Sequence, residues 1–83
     1  MIINFYTRNN CMNCDDGEIQ LALALEDYPD VTVEKIDIDT SDALQQKYML
    51  EVPVVEHNGN VIQYGQIDFV TIIEYLQKNI ETK

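Results

Sequence analysis

The stretch YTRNNCMNCDDGE occupies residues 6–18 and contains the only two cysteines of the 83-residue chain, Cys11 and Cys14. Their spacing is CxxC, and two aspartates follow at once. A CxxC pair can bind a metal, form a permanent disulfide or exchange electrons. The predicted structure of the segments on either side is therefore needed to distinguish between these roles.

The cysteine pair lies between a predicted strand and a predicted helix. Residues 1–6, MIINFY, are apolar and β-branched, which is typical of a strand. Residues 18–28, EIQLALALEDY, alternate Leu and Ala, but their length and composition favour a helix that ends near Tyr28, before Pro29. A CxxC at a strand-to-helix turn is the context in which a βαβ unit begins.

The remaining segments complete an α/β pattern. In chain order they predict a strand at residues 31–38, a short helix at 40–48, a hairpin within 52–64 and a helix at 68–80. Asn58 and Gly59 tolerate the positive φ of a tight two-residue turn, so the hairpin is the strongest local prediction. Asp68 or a neighbour is expected in the first turn of the last helix.

The predicted elements run β-α-β-α-β-β-α, and the expected fold class is α/β. Strands joined through a helix are expected to pair in parallel through a right-handed crossover. The last two strands must be antiparallel, because a two-residue turn joins them. We therefore expect one domain, residues 1–83, with a mixed four-stranded sheet flanked by helices.

Composition and charge limit the partners. The net charge is −10, with only 5 Lys and Arg residues, so a polyanion such as nucleic acid is not an expected partner. Short apolar runs broken by charge predict no membrane span, and residues 1–10 show no signal-peptide pattern. We therefore expect a monomeric, cytoplasmic protein, in a compartment where a CxxC pair is catalytic or metal-binding rather than a permanent staple.

Position favours redox exchange over the other roles of the cysteine pair. A structural zinc site needs four ligands, and the chain adds only one histidine, His57, at the hairpin turn. A structural disulfide would close a very small loop and restrict the unfolded chain little. Cys11 would occupy the N-cap region of the helix, whose dipole and unpaired N–H groups favour a thiolate. Cys14, one turn later, would resolve a mixed disulfide formed on Cys11.

The two aspartates after the pair have opposing effects. Asp15 and Asp16 are expected in the first turn of the helix, where each negative charge stabilises it by about 0.3–1 kcal/mol. The same charges oppose a thiolate on Cys11. They therefore predict a less acidic nucleophile and a more reducing cysteine pair.

Five segments resemble the glutaredoxin branch of the thioredoxin-fold proteins: FYTRNNCMNC, KIDID, LQQKYMLEVPVV, NGNVI and YGQID. The resemblance covers nearly the whole chain and implies a thioredoxin-like βαβαββα fold with thiol–disulfide oxidoreductase activity. It also implies a cis peptide bond before Pro53, which would face the redox pair, and a backbone contact from Val52 to the substrate. Tyr64 and Gly65 would line the substrate groove, although partial burial on a strand is the simpler account of Tyr64.

Departures from the family pattern bear on glutathione. Three positions differ from glutathione-using members: Met12-Asn13 replaces Pro-Tyr, Leu50-Glu51 replaces a basic position, and Gly65 is single rather than paired. Glutathione is anionic at neutral pH, so these acidic surroundings predict weak binding. Arg8 is a candidate to hold its carboxylates, or is a solvated loop residue.

Two subgroups of the family fit the chain. Small glutaredoxin-like proteins with a Cys-x-x-Cys-Asp motif are the favoured assignment. Redoxins that donate electrons to ribonucleotide reductase share the start YTRNNCMNC but differ before the last helix, where QYGQ stands here. No bound cofactor is expected beyond a redox-active Cys11–Cys14 disulfide.

The resemblance leaves the partners open. The substrate would be a disulfide-containing protein or glutathione, and the reductant would be glutathione or thioredoxin reductase. A hypothesis of another class is a non-catalytic thioredoxin-fold binding module.

Overall fold

The computed structural model describes residues 1–81, and its elements follow the predicted order. Four strands and three α-helices are present in that range: β1 Ile2–Thr7, α1 Met12–Ala24, β2 Thr32–Asp37, α2 Asp42–Tyr48, β3 Val54–His57, β4 Asn60–Tyr64 and α3 Phe69–Leu76. A 3₁₀ turn, Ile38–Thr40, precedes α2, and a π-helical segment, Gln77–Glu81, extends α3.

The strands form one mixed sheet in the order β2-β1-β3-β4. β1 pairs in parallel with β2, while β3 is antiparallel to both β1 and β4. At the hairpin turn, Asn58 and Gly59 adopt φ values of 52° and 81°. The predicted fold class, the parallel first pair and the hairpin are therefore confirmed.

The start of α1 agrees with the prediction, but its end does not. Cys11 is the N-cap residue, as predicted, and the helix begins at Met12 because the Cys11 side chain accepts from the N–H of Cys14. It ends at Ala24 rather than near Tyr28. From Leu25 the backbone hydrogen bonds shift to partners three residues back, as in the 2.9 Å bond from the Tyr28 N–H to the Leu25 carbonyl.

The other helix starts are fixed by side-chain caps. The Ser41 hydroxyl accepts from the N–H of Leu44 at 3.3 Å and begins α2. Asp68 accepts from the N–H of Thr71 at 2.9 Å, so it is the N-cap of α3 rather than a residue of its first turn. Both caps satisfy N–H groups that have no partner within the helix.

Apolar side chains pack on both faces of the sheet. The α1 and α3 face contains eight buried residues: Ile3, Phe5, Leu21, Ala24, Val55, Ile67, Ile72 and Leu76. The opposite face, covered by the 3₁₀ turn and α2, contains Tyr6, Ile38, Tyr48 and Val54. Neighbouring residues of β1 and β3 thus alternate between two small cores, as the period of a strand requires.

Within residues 1–81, no helix is both long and apolar enough to cross a membrane.

Candidate active site

Cys11 and Cys14 form a disulfide at the start of α1, with their Cα atoms 5.1 Å apart. Cys11 is the N-cap residue in extended conformation, and its Sγ accepts a hydrogen bond from the N–H of Cys14 at 3.1 Å. Cys11 is partly exposed, whereas Cys14 is only 1% exposed. One sulfur is therefore accessible at the helix start, and the other lies behind it.

The loop before the pair and the charges after it shape its surroundings. Asn10 has φ 57°, a left-handed conformation that turns the chain from β1 towards the cap residue. Asp15 lies in the first turn of α1, but Asp16 lies beyond it, so only one of the two aspartates occupies the predicted position. Both carboxylates are exposed.

The Val52–Pro53 peptide bond is cis, as the family resemblance implies. The Pro53 side chain is fully buried against α1. A Cβ at Gly17 would lie 3.2 Å from Pro53 Cγ and 3.1 Å from Ile67 Cγ1. Gly17, one helical turn after Cys14, therefore allows α1 to approach the cis-proline closely.

Gly65 connects three segments around the disulfide. Its N–H donates to the carbonyls of Pro53 at 2.9 Å and Glu51 at 3.0 Å, and its own carbonyl accepts from Asn13 Nδ2 at 3.1 Å. Its φ of 81° favours glycine at this position. The CxxC turn, the segment before Pro53 and the loop after β4 are thus held together by backbone hydrogen bonds and one side chain.

Two other candidate substrate contacts take positions that sequence patterns do not specify. The N–H of Val52 donates to the Tyr48 carbonyl at 3.1 Å, so this amide is engaged within its own turn. Tyr64 is 59% exposed at the end of β4, rather than partly buried.

Arg8 forms an ion pair with Asp39, with 3.2 Å between Nη2 and Oδ1. A second ion pair, 3.0 Å long, joins Lys35 to Glu18. Both cations line a cleft of about 310 Å³ beside the loop that precedes Cys11. Both positive side chains of this cleft are therefore already paired with carboxylates of the protein. A larger cleft of about 520 Å³ includes neither cysteine and lies between the α1–β2 connection and the end of α3.

No cluster of three or more His, Cys, Asp or Glu side chains suited to a metal occurs among residues 1–81. His57 instead lies with its Nδ1 2.7 Å from the Tyr75 hydroxyl. Asp37 caps the 3₁₀ turn by accepting from the N–H of Asp39 at 2.9 Å.

Glu56 is a buried carboxylate that sequence patterns did not single out. It is 8% exposed on β3, and its Oε1 accepts from Asn4 Nδ2 at 3.1 Å and the Tyr6 hydroxyl at 3.2 Å. Its Oε2 accepts from the Tyr48 hydroxyl at 3.3 Å. Burial, followed by the negative charge of Glu56, raises the pKa of Tyr6. The sequence signal for this contact is that Asn4 and Tyr6, two residues apart on β1, place two polar groups on the same face of the sheet.

Comparison with known proteins gives the family. The sequence profile of the family described as Glutaredoxin-like domain (DUF836) matches residues 2–77. The chain belongs to this family. No curated protein matches the chain in sequence.

Solved structures share the fold of this glutaredoxin-like domain. The structural genomics target protein XcR50 from X. campestris is 26% identical with a TM-score of 0.70, over 92% of this chain and 96% of that one. A thioredoxin from Trypanosoma brucei brucei is 16% identical with a TM-score of 0.69, over 98% of this chain and 75% of that one. A mutant thioredoxin from Halobacterium salinarum NRC-1 is 23% identical with a TM-score of 0.68, over 99% and 76%. A CxxC disulfide on this fold supports a redox function.

Proposed function

We propose that this glutaredoxin-like domain is a thiol–disulfide oxidoreductase in which Cys11 is the nucleophile and Cys14 the resolving cysteine. The observation that carries the proposal is the asymmetry of the pair. Cys11 caps α1 and is partly exposed, while Cys14 is 1% exposed. A substrate disulfide can reach the first sulfur, whereas only the neighbouring sulfur can reach the second.

The reaction transfers two electrons from the dithiol to the substrate. The Cys11 thiolate attacks one sulfur of the substrate disulfide, which forms a mixed disulfide and releases the other substrate sulfur as a thiolate. The Cys14 thiolate then attacks the Cys11 sulfur, releasing the second substrate thiolate and forming the Cys11–Cys14 disulfide. Two thiol molecules, which leave as a disulfide, or a reductase supply the two electrons and two protons that restore the dithiol.

The substrate is proposed to lie across Pro53, with Tyr64 and Gly65 on one side. Because the Val52 N–H donates to Tyr48, the backbone contact proposed at Val52 uses its carbonyl oxygen. Arg8 would have to leave Asp39 before it could hold a carboxylate of glutathione. This competition, together with the exposed Glu51 and the net charge of −10, favours protein disulfides over glutathione as substrates.

Trapping experiments test the roles of the two cysteines. Cys14→Ser should accumulate a mixed disulfide on Cys11 when mixed with a disulfide-bonded protein, because no resolving thiol is left. Cys11→Ser should accumulate none, because Cys14 is buried. Equal reactivity of the two variants would overturn the assignment. If wild-type protein reduces no disulfide at all, the domain is a non-catalytic binding module.

The electron source is tested by two coupled assays run in parallel. One supplies glutathione with glutathione reductase, and the other supplies thioredoxin reductase, each with the same disulfide substrate. Faster turnover with thioredoxin reductase would favour the redoxin alternative, an electron donor to ribonucleotide reductase. Faster turnover with glutathione would favour a glutaredoxin proper, acting in a reducing compartment such as the cytoplasm.

A further inference from the structure

Three exposed apolar residues lie next to the residues that connect the CxxC turn to its neighbouring segments. Met12 is 87% exposed, Leu50 94% and Tyr64 59%. Each is next in sequence to one of the three residues that hydrogen bond to each other: Asn13 to the Gly65 carbonyl, and the Gly65 N–H to the Glu51 carbonyl. Three segments that are distant in sequence therefore meet beside the CxxC turn, each with an exposed apolar residue, and we call Met12, Leu50 and Tyr64 the docking rim.

The docking rim is bordered by negative charge. Asp15 and Asp16 follow the pair on α1, and Glu51 follows Leu50; all three carboxylates are exposed. The cations of the adjoining segments are engaged elsewhere. Arg8 pairs with Asp39 and Lys35 with Glu18, and the Lys47 ammonium lies 5.1 Å from the centre of the Tyr48 ring.

We propose that the docking rim binds a cationic protein segment, in which apolar and basic residues flank the disulfide to be reduced. The proposal rests on the proposed function and names its substrate class. A partner that contacts all three segments must be larger than a single amino acid. Charge decides between partners, because exposed carboxylates attract a basic segment and repel an acidic one. A second copy of this chain is disfavoured for the same reason, since each copy has a net charge of −10.

Two synthetic peptides test the charge preference. Each has the same intramolecular disulfide and the same apolar residues, but one is flanked by lysines and the other by glutamates. The protein is reduced, freed of reductant and mixed with each peptide, and the rate of disulfide transfer is measured after acid quenching. We expect the lysine peptide to react about tenfold faster at low ionic strength. In concentrated salt the ratio should fall towards about twofold, because screening shortens the range of the charges.

Variants locate the preference on the docking rim. Glu51→Gln should reduce the ratio of the two rates, whereas Glu26→Gln, which removes an equal charge beyond the end of α1, should leave it unchanged. Leu50→Ser should slow both peptides, because it removes an apolar contact without opening the core. Equal effects of Glu51→Gln and Glu26→Gln would show that net charge, and not the docking rim, is responsible, and would overturn the proposal.

A neutral probe separates failure of this proposal from failure of the proposed function. If hydroxyethyl disulfide is reduced but the two peptides react equally, or the glutamate peptide reacts faster, the cationic-partner proposal is wrong and the oxidoreductase stands. If neither the probe nor the peptides are reduced, both are wrong. A dimer in sedimentation measurements that Leu50→Ser dissociates would identify the docking rim as a self-association surface and would also overturn the proposal.

Discussion

Replacing Glu56 measures what a buried carboxylate contributes to this small fold. Its two oxygens accept hydrogen bonds from Asn4, Tyr6 and Tyr48, with donor–acceptor distances between 3.1 and 3.3 Å. The donors come from β1 and α2, so one side chain connects the sheet to the helix that covers it. Each donor loses its acceptor when the carboxylate is removed.

Glu56→Leu and Glu56→Gln should differ in cost. Leucine leaves the Tyr6 and Tyr48 hydroxyls unpaired at a buried site, at about 1–3 kcal/mol each, and Asn4 Nδ2 unpaired at a partly buried one, although removing the charge returns part of its desolvation cost. We therefore expect Glu56→Leu to lower the free energy of unfolding by about 3–5 kcal/mol. Glutamine keeps the shape and one acceptor oxygen, and the Tyr48 hydroxyl can accept from the new amide, so the expected loss is about 1–2 kcal/mol.

Urea unfolding followed by circular dichroism at neutral pH measures both losses. Glu26→Gln is the exposed control and should change the free energy of unfolding by less than about 0.5 kcal/mol. A double-mutant cycle between Glu56→Gln and Tyr48→Phe should give a coupling energy of about 0.5 kcal/mol or more. A loss below about 1 kcal/mol for Glu56→Leu would refute this reasoning, because desolvation of the carboxylate would then cancel its hydrogen bonds.

Three further predictions concern the site and its supports. Gly17→Ala should lower the free energy of unfolding by about 1–2 kcal/mol in urea titrations. The new Cβ crowds Pro53 and Ile67, and this cost outweighs a helix-propensity gain of up to about 1 kcal/mol. A gain in stability would contradict the close approach of α1 to Pro53. The pKa of Tyr6 is raised in the fold by burial and then by the charge of Glu56, so its contribution to stability is present below the ordinary value of 10.0 and is lost as the pH rises through the raised pKa. Tyr6→Phe should flatten this alkaline slope in pH-dependent unfolding. Asp15→Asn should increase the thiolate fraction of reduced Cys11, which is measured as the alkylation rate at a series of pH values. Asp16→Asn should have a smaller effect on the thiolate fraction. No change in either variant would show that these charges do not influence the Cys11 sulfur.

The strands and the hairpin can be predicted because each depends on residues that are adjacent in sequence. Asn58 and Gly59 tolerate the positive φ that a two-residue hairpin turn requires, and the apolar, β-branched residues 1–6 favour a strand. The position of Cys11 at a helix start also follows from its place between two strong segments. The end of α1 is predicted too late, near Tyr28 rather than at Ala24, because Pro29 shows where a helix must stop but not where its hydrogen bonds shift to partners three residues back.

Long-range polar contacts could not be predicted in the same way. Asn4 and Glu56 are 52 residues apart in sequence, and Asn13 is equally far from the Gly65 carbonyl. Such pairs depend on strand register and on which face of the sheet each residue occupies, and a one-residue shift would separate them. The ion pair between Arg8 and Asp39 is of the same kind, since these residues follow two neighbouring parallel strands, β1 and β2.

The Cys11 cap couples the start of α1 to the oxidation state of the protein. In the disulfide, a neutral sulfur accepts the N–H of Cys14 at 3.1 Å. After reduction a thiolate at the same place is a stronger, charge-assisted acceptor. Folding and reduction of the disulfide form a closed thermodynamic cycle. If the thiolate stabilises the start of α1 by a given free energy, the dithiol form of the folded protein is favoured over the disulfide by the same free energy. Local fraying at the start of α1 would therefore change the reduction potential of the cysteine pair as well as the local helical structure.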